Sequence, residues 1–428
     1  MAHCMTDRGT GTIAENRVRL GEEEFRELSF DVKRIYIERV LPKEKLALIL
    51  EDQDSKRLAR AMRPHELYWL FKEYDGPDAM DLLALASPEQ CIFILDMELW
   101  KNRSFSEDKA VEYLSYILKG SEGHFLELLP HLDFNLLSLF LGRELVVAGG
   151  IGDINTDEER QTDWDHTFDD VFLIKFKNPK HAETIGPFLE RICRFDNPLY
   201  VSLMESVCGE VDIESEEECY HIKSGRLADL GFPLYDEARE IYSRINPATF
   251  IPGLCKELLQ AVEGTTLPRP FLTGRTFLES VILRVDSELF RMELNYLINT
   301  ALVADEAHLA GMEQMRSVVE RVYGYLNIAL EYLSNGDETK GVEIISGELL
   351  KRLFQLGFSL VLDLKYNADK RSEPDYATGK VLSGLKTARP RFYRGLDPDG
   401  IDGYREFCEM QDVKNMAVFL RELGSSRT

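Results

Sequence analysis

The sequence predicts a mainly all-α protein built from short helices. Prolines at Pro42, Pro64 and Pro88 each open an apolar segment, and proline is well tolerated at the first position of a helix because its missing N–H would have no partner there. Apolar residues recur at gaps of three and four along most of the chain, as one face of a helix requires. Strand-like composition is limited to the region 145–178.

Segment 21–144 is predicted to be a superhelix of repeated helix pairs. The three prolines follow one another at intervals of 22 and 24 residues, and stacked pairs with such a period bury their apolar faces on their neighbours. Chance is the alternative, since helical proteins contain many helices that begin at proline. Counting back from Pro88, Pro64 and Pro247, the same four positions hold apolar or small residues. They are Ala79, Leu82, Leu83 and Ala86; Ser55, Leu58, Ala59 and Met62; and Ala238, Ile241, Tyr242 and Ile245.

The remaining organisation follows from changes in composition. Residues 1–20 are polar and are predicted to be a disordered tail. In the insert 145–178, two segments, Leu145–Ala148 and Val171–Phe176, are predicted to form the protein's only β structure, a small hairpin around an acidic loop. Helices are expected to continue over 179–267, and 268–428 is expected to form a C-terminal helical bundle with a tail.

The C-terminal bundle is predicted to contain one long helix. No Gly or Pro occurs from Arg275 to Ala310, and apolar residues keep helical spacing throughout this stretch. Further helices are predicted near 312–334 and 340–365, with a last short one around 411–423. Two capping boxes, Ser87–Gln90 and Thr276–Glu279, have the residue types that satisfy free N–H groups at a helix start.

Composition argues against several classes of partner. The chain has 75 acidic residues against 51 Lys and Arg, a net charge of -24, which disfavours nonspecific binding to nucleic acids or anionic membranes. No apolar stretch reaches the roughly 18 residues needed to span a bilayer. Seven cysteines, an odd number without CxxC spacing, fit neither a disulfide framework nor a zinc ribbon. These features together predict a cytoplasmic location.

Known catalytic motifs are missing from the sequence. The run Gly149-Gly150-Ile151-Gly152 lacks the spacing of a dinucleotide-binding loop or a P-loop, and neither Gly-x-Ser-x-Gly nor His-Glu-x-x-His occurs. We therefore predict no catalytic residues and no cofactor from motifs.

Two clusters are weak candidates for metal ligands. The first is acidic, and hard cations favour several oxygen ligands, although a solvated loop is the simpler interpretation; it comprises Asp163, Asp165, His166, Asp169 and Asp170. The second pairs Asp305 with His308, three residues apart on a predicted helix face. A di-iron site needs two such pairs, so an ordinary helix end is the alternative there.

One basic and aromatic patch is a candidate for partner binding. Arginine and tyrosine are enriched at interfaces, and arginine binds carboxylates and phosphates through two hydrogen bonds. Equally, the arginines can pair with the chain's own abundant carboxylates. The residues of this patch are Arg389, Arg391, Tyr393 and Arg394.

The sequence also resembles known families. Pro64–Leu70, with Asp78-Ala79 and Ser87–Gln90, resembles the helical superhelix of the MgtE magnesium-transporter N-terminal domain and, more distantly, flagellar FliG middle domains. Nearly the whole chain from about residue 40 is similar to a bacterial family of unknown function, DUF6178. The segments that carry this similarity are 83–90, 225–233, Glu237-Ala238 with Tyr242, 353–357 and 389–393. This resemblance implies a shared fold and carries over no active site.

Three functions are compatible with these observations. The leading hypothesis is a non-enzymatic protein-interaction or regulatory scaffold, because stacked helix pairs form extended grooves; it implies an unidentified protein partner and leaves the oligomeric state open. One alternative is a divalent-cation sensor, by analogy with MgtE and the acidic cluster. The other is a metal-dependent enzyme in the C-terminal helices, based on Asp305 and His308.

Overall fold

The fold is described from a computed structural model. It covers residues 22–40, 42–74, 77–101, 103–150, 164–208, 213–253, 276–285, 287–372 and 375–425. The predicted tail 1–20 lies outside the described residues. The described chain is mainly helical, as the sequence predicts.

Seven short helices form the N-terminal part. From α2 onward, each helix packs against the helix two places further along, up to the contact of α6 with α8 (Glu107–Lys119). The four apolar or small residues noted before Pro88 are all buried: Ala79, Leu82, Leu83 and Ala86. The helices are α1 Glu22–Arg26, α2 Phe30–Arg39, α3 Pro42–Leu50, α4 Ser55–Ala61, α5 Pro64–Glu73, α6 Pro77–Leu85 and α7 Pro88–Glu98.

The capping box of α7 also connects it to an earlier helix. The Ser87 N–H donates to Gln90 Oε1 over 2.8 Å, and the Gln90 N–H donates back to Ser87 Oγ over 3.3 Å. The side-chain nitrogen of Gln90, Nε2, donates to the backbone carbonyl oxygens of Ala59 and Met62, at 2.9 and 2.7 Å. These bonds satisfy carbonyls at the end of α4, so one side chain fixes the corner between successive helices.

The central part contains the predicted hairpin. Strands β3 and β4 pair antiparallel from Leu145↔Phe176 to Gly149↔Phe172. Around them lie β1 Trp100–Lys101, β2 Ser104–Phe105, α9 Glu122–Leu128, α10 Phe134–Glu144, β3 Leu145–Gly149, β4 Phe172–Phe176, α11 Pro179–Phe195, α12 Asn197–Cys208, α13 Ile213–Asp229 and α14 Tyr235–Arg239.

The expectation that this hairpin is the only β structure is wrong. Two further antiparallel pairs occur, β1 with β2 and, near the C-terminus, β5 with β6. Each strand has only two residues, which is too short for alternating hydrophobicity to be visible in the sequence.

The C-terminal part is a bundle around two long helices, α18 and α20, which pack against each other. Its elements are α15 Phe277–Val285, α16 Glu288–Ala304, α17 Ala307–Ala310, α18 Met312–Ser334, α19 Glu338–Gly347, α20 Leu350–Ala368, α21 Tyr376–Leu385, β5 Phe392–Tyr393, β6 Tyr404–Arg405 and α22 Met410–Ser425.

The prediction of one helix from Arg275 to Ala310 is wrong, because the chain breaks twice. Ser287 caps α16 by accepting a hydrogen bond from the Phe290 N–H over 3.1 Å. Glu306 has a φ of 48°, in the left-handed region, which ends the helix before α17. The predicted helix at 340–365 is also divided: Glu348 accepts the N–H groups of Leu349 and Gly253, and α20 begins at Leu350.

Membrane-spanning potential is low among the described helices. None of them alone is long and apolar enough to cross a bilayer. One pair, Glu122–His131 with Phe134–Glu144, reaches the necessary length and composition only when both helices are taken together, and it is bent by 106°.

Candidate functional site

The predicted partner-binding arginines are held by this chain's own carboxylates. Arg389 pairs with Asp305 and donates to the Ala304 carbonyl over 3.2 Å. Arg394 donates to Asp399 over 2.9 Å, and the Tyr393 hydroxyl donates to Asp402 over 3.1 Å.

Arg391 contributes to a buried ion network. Its Nε lies 3.5 Å from Glu406 Oε1, and its Nη2 donates to Ser317 over 3.4 Å. Arg321 donates two hydrogen bonds of 2.9 Å to the same carboxylate and also pairs with Asp305. Burial lowers the pKa of Arg321, but the hydrogen bonds to Glu406 and the charges of Glu406 and nearby tyrosines together outweigh burial and raise that pKa. The arrangement satisfies buried charges and ties the C-terminal segment to α18.

Asp305 and His308 do not share a helix face. Asp305 is the C-terminal cap of α16, and the left-handed Glu306 separates it from His308 in α17. Asp305 accepts a hydrogen bond from the Tyr242 hydroxyl over 3.1 Å. Burial raises the pKa of Asp305, against the opposing effects of Arg321 and Arg389. The expectation of a helical carboxylate–imidazole pair is therefore wrong, because the helix ends between them.

The acidic cluster builds the turn that leads into β4. Asp169 Oδ1 accepts the N–H groups of Val171 and Phe172, each over 3.0 Å, and Asp165 Oδ2 accepts that of Phe176 over 2.8 Å. Asp170 has a left-handed φ of 59°.

The two remaining residues of the acidic cluster, His166 and Asp163, do not complete a set of metal ligands among the described residues. His166 forms an isolated bridge with Ile174, and Asp163 lies outside the described residues. Across the described part of the chain, no group of three His, Cys, Asp or Glu side chains is arranged to hold a metal ion.

A different site lies where three parts of the fold meet. We call it the junction cleft; it is an open cleft with about 520 Å³ of empty space, part of which is open to solvent. One wall is the end of α7 with β1, the second is α13 with the turn into α14, and the third is the joint between α16 and α17. The lining residues are Asp96, Met97, Trp100, Arg103, Tyr220, Lys223, Ser224, Leu227, Phe232, Pro233, Leu234, Tyr235, Val303, Glu306 and His308.

Specific side-chain contacts hold the three walls of the cleft together. Phe93 of α7 packs against Phe232, with ring centroids 5.5 Å apart. The buried Tyr68 hydroxyl donates to Glu98 over 2.5 Å and lies 3.4 Å from the His308 carbonyl oxygen, which fixes α17 on the N-terminal helices. Arg226 donates to both oxygens of Asp96, at 2.8 and 2.7 Å, and so joins α13 to α7.

Lys223 is a cleft residue whose pKa is lowered by burial. Its Nζ lies 4.9 Å from the centre of the Tyr220 ring and 5.9 Å from that of Trp100. Burial lowers the pKa of Lys223 to about 8; Asp96 acts in the opposite direction and Arg226 in the same one. A substantial fraction of its amine is therefore neutral near physiological pH.

Two ring nitrogens in the cleft are buried without a hydrogen-bond partner among the described residues: Trp100 Nε1 and His308 Nδ1. Trp100 is 4% exposed and His308 is 9% exposed. Burial lowers the pKa of His308 to about 3, and the charges of Lys223 and Lys72 act in the same direction. A hydrogen bond to the backbone of Leu302 acts in the opposite direction. The imidazole is thus neutral at pH 7, and its Nδ1 and the indole N–H of Trp100 are the unpartnered ring nitrogens of the cleft.

A second, mostly apolar chamber shares Asp96 with the cleft. Its empty space, part of which is open to solvent, is about 640 Å³. Ile92 and Leu95 of α7, with Leu99 directly after it, line this chamber. Burial raises the pKa of Asp96 although Arg226 lowers it. The carboxylate of Asp96 therefore lines both the mixed polar and apolar cleft and the mostly apolar chamber.

The comparisons with known proteins place this architecture in a family. A family model described as a family of unknown function, DUF6178, matches residues 22–427. The chain belongs to DUF6178. No curated protein and no solved structure matches it significantly, so the function of this DUF6178 chain has to be argued from the cleft itself.

Sequence reasoning missed most of the cleft. Lys223 is the only lysine of α13 and stands among Glu, Tyr and Arg residues that look like an exposed helix face. Trp100 lies in a two-residue strand, and His308 drew attention only for its spacing from Asp305. The weak signal available was a lysine three residues before Arg226 on a helix with an apolar side.

Proposed function

We propose that this protein is a ligand-binding regulatory scaffold whose junction cleft takes a small carboxylic acid with a planar, apolar body. The observation that carries the proposal is the pair of buried, unpartnered ring nitrogens of Trp100 and His308 beside the half-buried Lys223. An unsatisfied buried polar group costs about 1–3 kcal/mol. A ligand that brings a hydrogen-bond acceptor to the indole N–H of Trp100 recovers part of that cost.

The lining holds two cations, Lys223 and Arg103, that an anion can contact, beside the carboxylates of Asp96 and Glu306. Lys223 supplies a cation inside the cleft, and Arg103, which pairs with Asp236, supplies another at its edge. The carboxylate of Asp96 is already bound by Arg226 through two hydrogen bonds. A carboxylate is a ligand group that pairs with both a cation and the indole N–H of Trp100.

The aromatic lining favours a planar body. Trp100 and Tyr220 stand with their ring centroids 5.6 Å apart at an edge-to-face angle of 66°, and Phe232 and Tyr235 complete the apolar part of the wall. Flat apolar groups gain both area burial and ring contacts in such surroundings.

A regulatory role is supported by the position of the cleft between the N-terminal helices and the C-terminal bundle. A ligand that contacts both parts stabilises their native arrangement. The alternate packing of α2 to α8 favours the hypothesis of stacked helix pairs that offer a groove to a protein partner. That partner, like the MgtE-like sensor alternative, stays a prediction.

Benzoate and its uncharged analogue benzamide test the proposal, because they share a shape and differ in charge. We expect benzoate at ten times its dissociation constant to stabilise the native protein by about 1.4 kcal/mol, measured by thermal denaturation and calorimetric titration. Benzamide should bind at least tenfold more weakly.

Two variants locate the effect of benzoate. Lys223→Met should remove benzoate binding. Lys414→Met, which changes an exposed lysine outside the cleft, should retain it. Equal binding of benzoate and benzamide, or equal benzoate binding by both variants, contradicts the proposed site.

A further inference from the structure

We infer that the ligand of the junction cleft is a 2-oxo acid and that the Nζ of Lys223 joins its carbonyl carbon as an imine. This inference rests on the proposed function, since it names the ligand class of the same cleft. It stands on the geometry of a half-buried amine between two aromatic rings, with a buried imidazole in the same lining.

The position of Lys223 differs from that of a surface lysine. It sits on the buried-facing side of α13, directly before Ser224, which is 7% exposed. Among the described residues, its Nζ forms no salt bridge like those of Lys33 with Asp52 or Lys72 with Glu98, because the nearby Asp96 is bound by Arg226. An amine in low-polarity surroundings, close to another cation, is the arrangement that activates lysine as a nucleophile.

The chemistry balances without any further reactant. The nitrogen lone pair of neutral Lys223 attacks the carbonyl carbon, and the carbonyl π electrons move to oxygen, which takes up a proton. The resulting carbinolamine loses that oxygen as water, and both hydrogens of the water derive from the original amine. The products are an imine and one water molecule, so no oxidant or reductant is needed.

Other cleft groups fit the remaining parts of a 2-oxo acid. The neutral imidazole of His308 is available to accept a proton from the attacking nitrogen and to return it to the leaving oxygen. The indole N–H of Trp100 is a donor for a carboxylate oxygen, and Arg103 provides a cation at the edge of the cleft. The aromatic lining accommodates an apolar substituent on the ligand.

Reductive trapping with phenylpyruvate tests the imine. The full-length protein is incubated with phenylpyruvate and sodium cyanoborohydride, which reduces imines to stable amines, and the modified lysines are identified by peptide mass spectrometry. Because the neutral fraction of an amine changes tenfold per pH unit, a pKa lowered from 10.5 to about 8 raises it roughly 300-fold. We expect Lys223 to be modified at least tenfold faster than exposed Lys414 at pH 7.4.

The pH dependence supplies a readout that a passive lysine would not give. The trapping rate at Lys223 should rise up to about pH 8 and then level off, whereas the rate at Lys414 should still be rising at that pH. The charged and titratable groups that face Lys223 in the cleft are Asp96, Arg103, Tyr220, Arg226, Tyr235, Glu306 and His308.

Phenyllactate separates this inference from the proposed function, because it has a hydroxyl in place of the ketone and cannot form an imine. The imine and the carboxylate site are both supported if phenyllactate stabilises the protein and also reduces the trapping of phenylpyruvate at Lys223. This trapping should be lost in Lys223→Arg. Stabilisation by phenyllactate without trapping at Lys223, or with trapping spread evenly over exposed lysines, overturns the imine and leaves the carboxylate site. No stabilisation by either acid overturns both.

Discussion

Replacing Arg321 by methionine tests whether the buried ion network stabilises the C-terminal bundle. The side chain of Arg321 is 8% exposed, and that of its partner Glu406 is fully buried. Two hydrogen bonds of 2.9 Å join them. Methionine keeps much of the volume of the arginine stem and removes the charge, so Glu406 loses its principal counterion in a place that water does not reach.

The expected cost follows from what remains around the two carboxylates. Removing one partner of a buried pair costs about 3–5 kcal/mol. Ser317 still donates to Glu406 over 2.8 Å, and Arg389 still pairs with Asp305. We therefore expect Arg321→Met to lower the free energy of unfolding by about 3 kcal/mol, the lower end of that range.

Urea denaturation followed by circular dichroism measures this change, and a surface pair provides the matched control. Arg284 lies 3.2 Å from Glu338, and both side chains are about half exposed. Arg284→Met should therefore cost less than about 0.5 kcal/mol. Adding Glu406→Gln to Arg321→Met should restore part of the loss, because the uncompensated charge disappears. Equal costs for the two arginine variants would refute the reasoning.

Two more predictions concern packing and pH. Gly357→Ala should destabilise the protein by about 2 kcal/mol or more, because the added Cβ would overlap the Tyr325 carbonyl oxygen where α20 crosses α18. Gly225→Ala, whose added Cβ has no atom within 4 Å, should stabilise the protein by about 0.5–1 kcal/mol. Thermal denaturation that ranks the two variants in the opposite order contradicts the packing argument. Burial lowers the pKa of His308 from 6.5 to about 3, so the native state binds fewer protons between these values and stability falls as the pH drops through them. In urea titrations at several pH values, His308→Gln should reduce this dependence, and an unchanged slope would show that His308 does not contribute.

Local signals explain which helix boundaries were predictable. The starts at Pro42, Pro64 and Pro88 follow from proline's fixed φ and missing donor, and the Ser87 and Thr276 boxes form as expected. By contrast, the breaks inside 275–310 depend on one serine cap and one left-handed glutamate. Serine and glutamate are also common inside helices, so neither residue type announces a break.

The roles of the polar candidates depended on partners distant in the sequence. Arg389 could be recognised as a basic residue, but its pairing with Asp305 spans 84 residues and becomes visible only in the folded chain. The same holds for Arg226 and Asp96, which are 130 residues apart. Sequence spacing reports on neighbours within one helix, and it carries no information on which helices meet.

By itself, the sequence determined that this chain forms short helices with one strand pair at 145–176, because propensity, capping and apolar periodicity act over a few residues. Only the tertiary structure decided that Trp100, Lys223 and His308 share one cleft. The physical reason is that the cleft forms where segments distant in the sequence pack together. Burial in that packing lowers the pKa of Lys223 and leaves two ring nitrogens without partners.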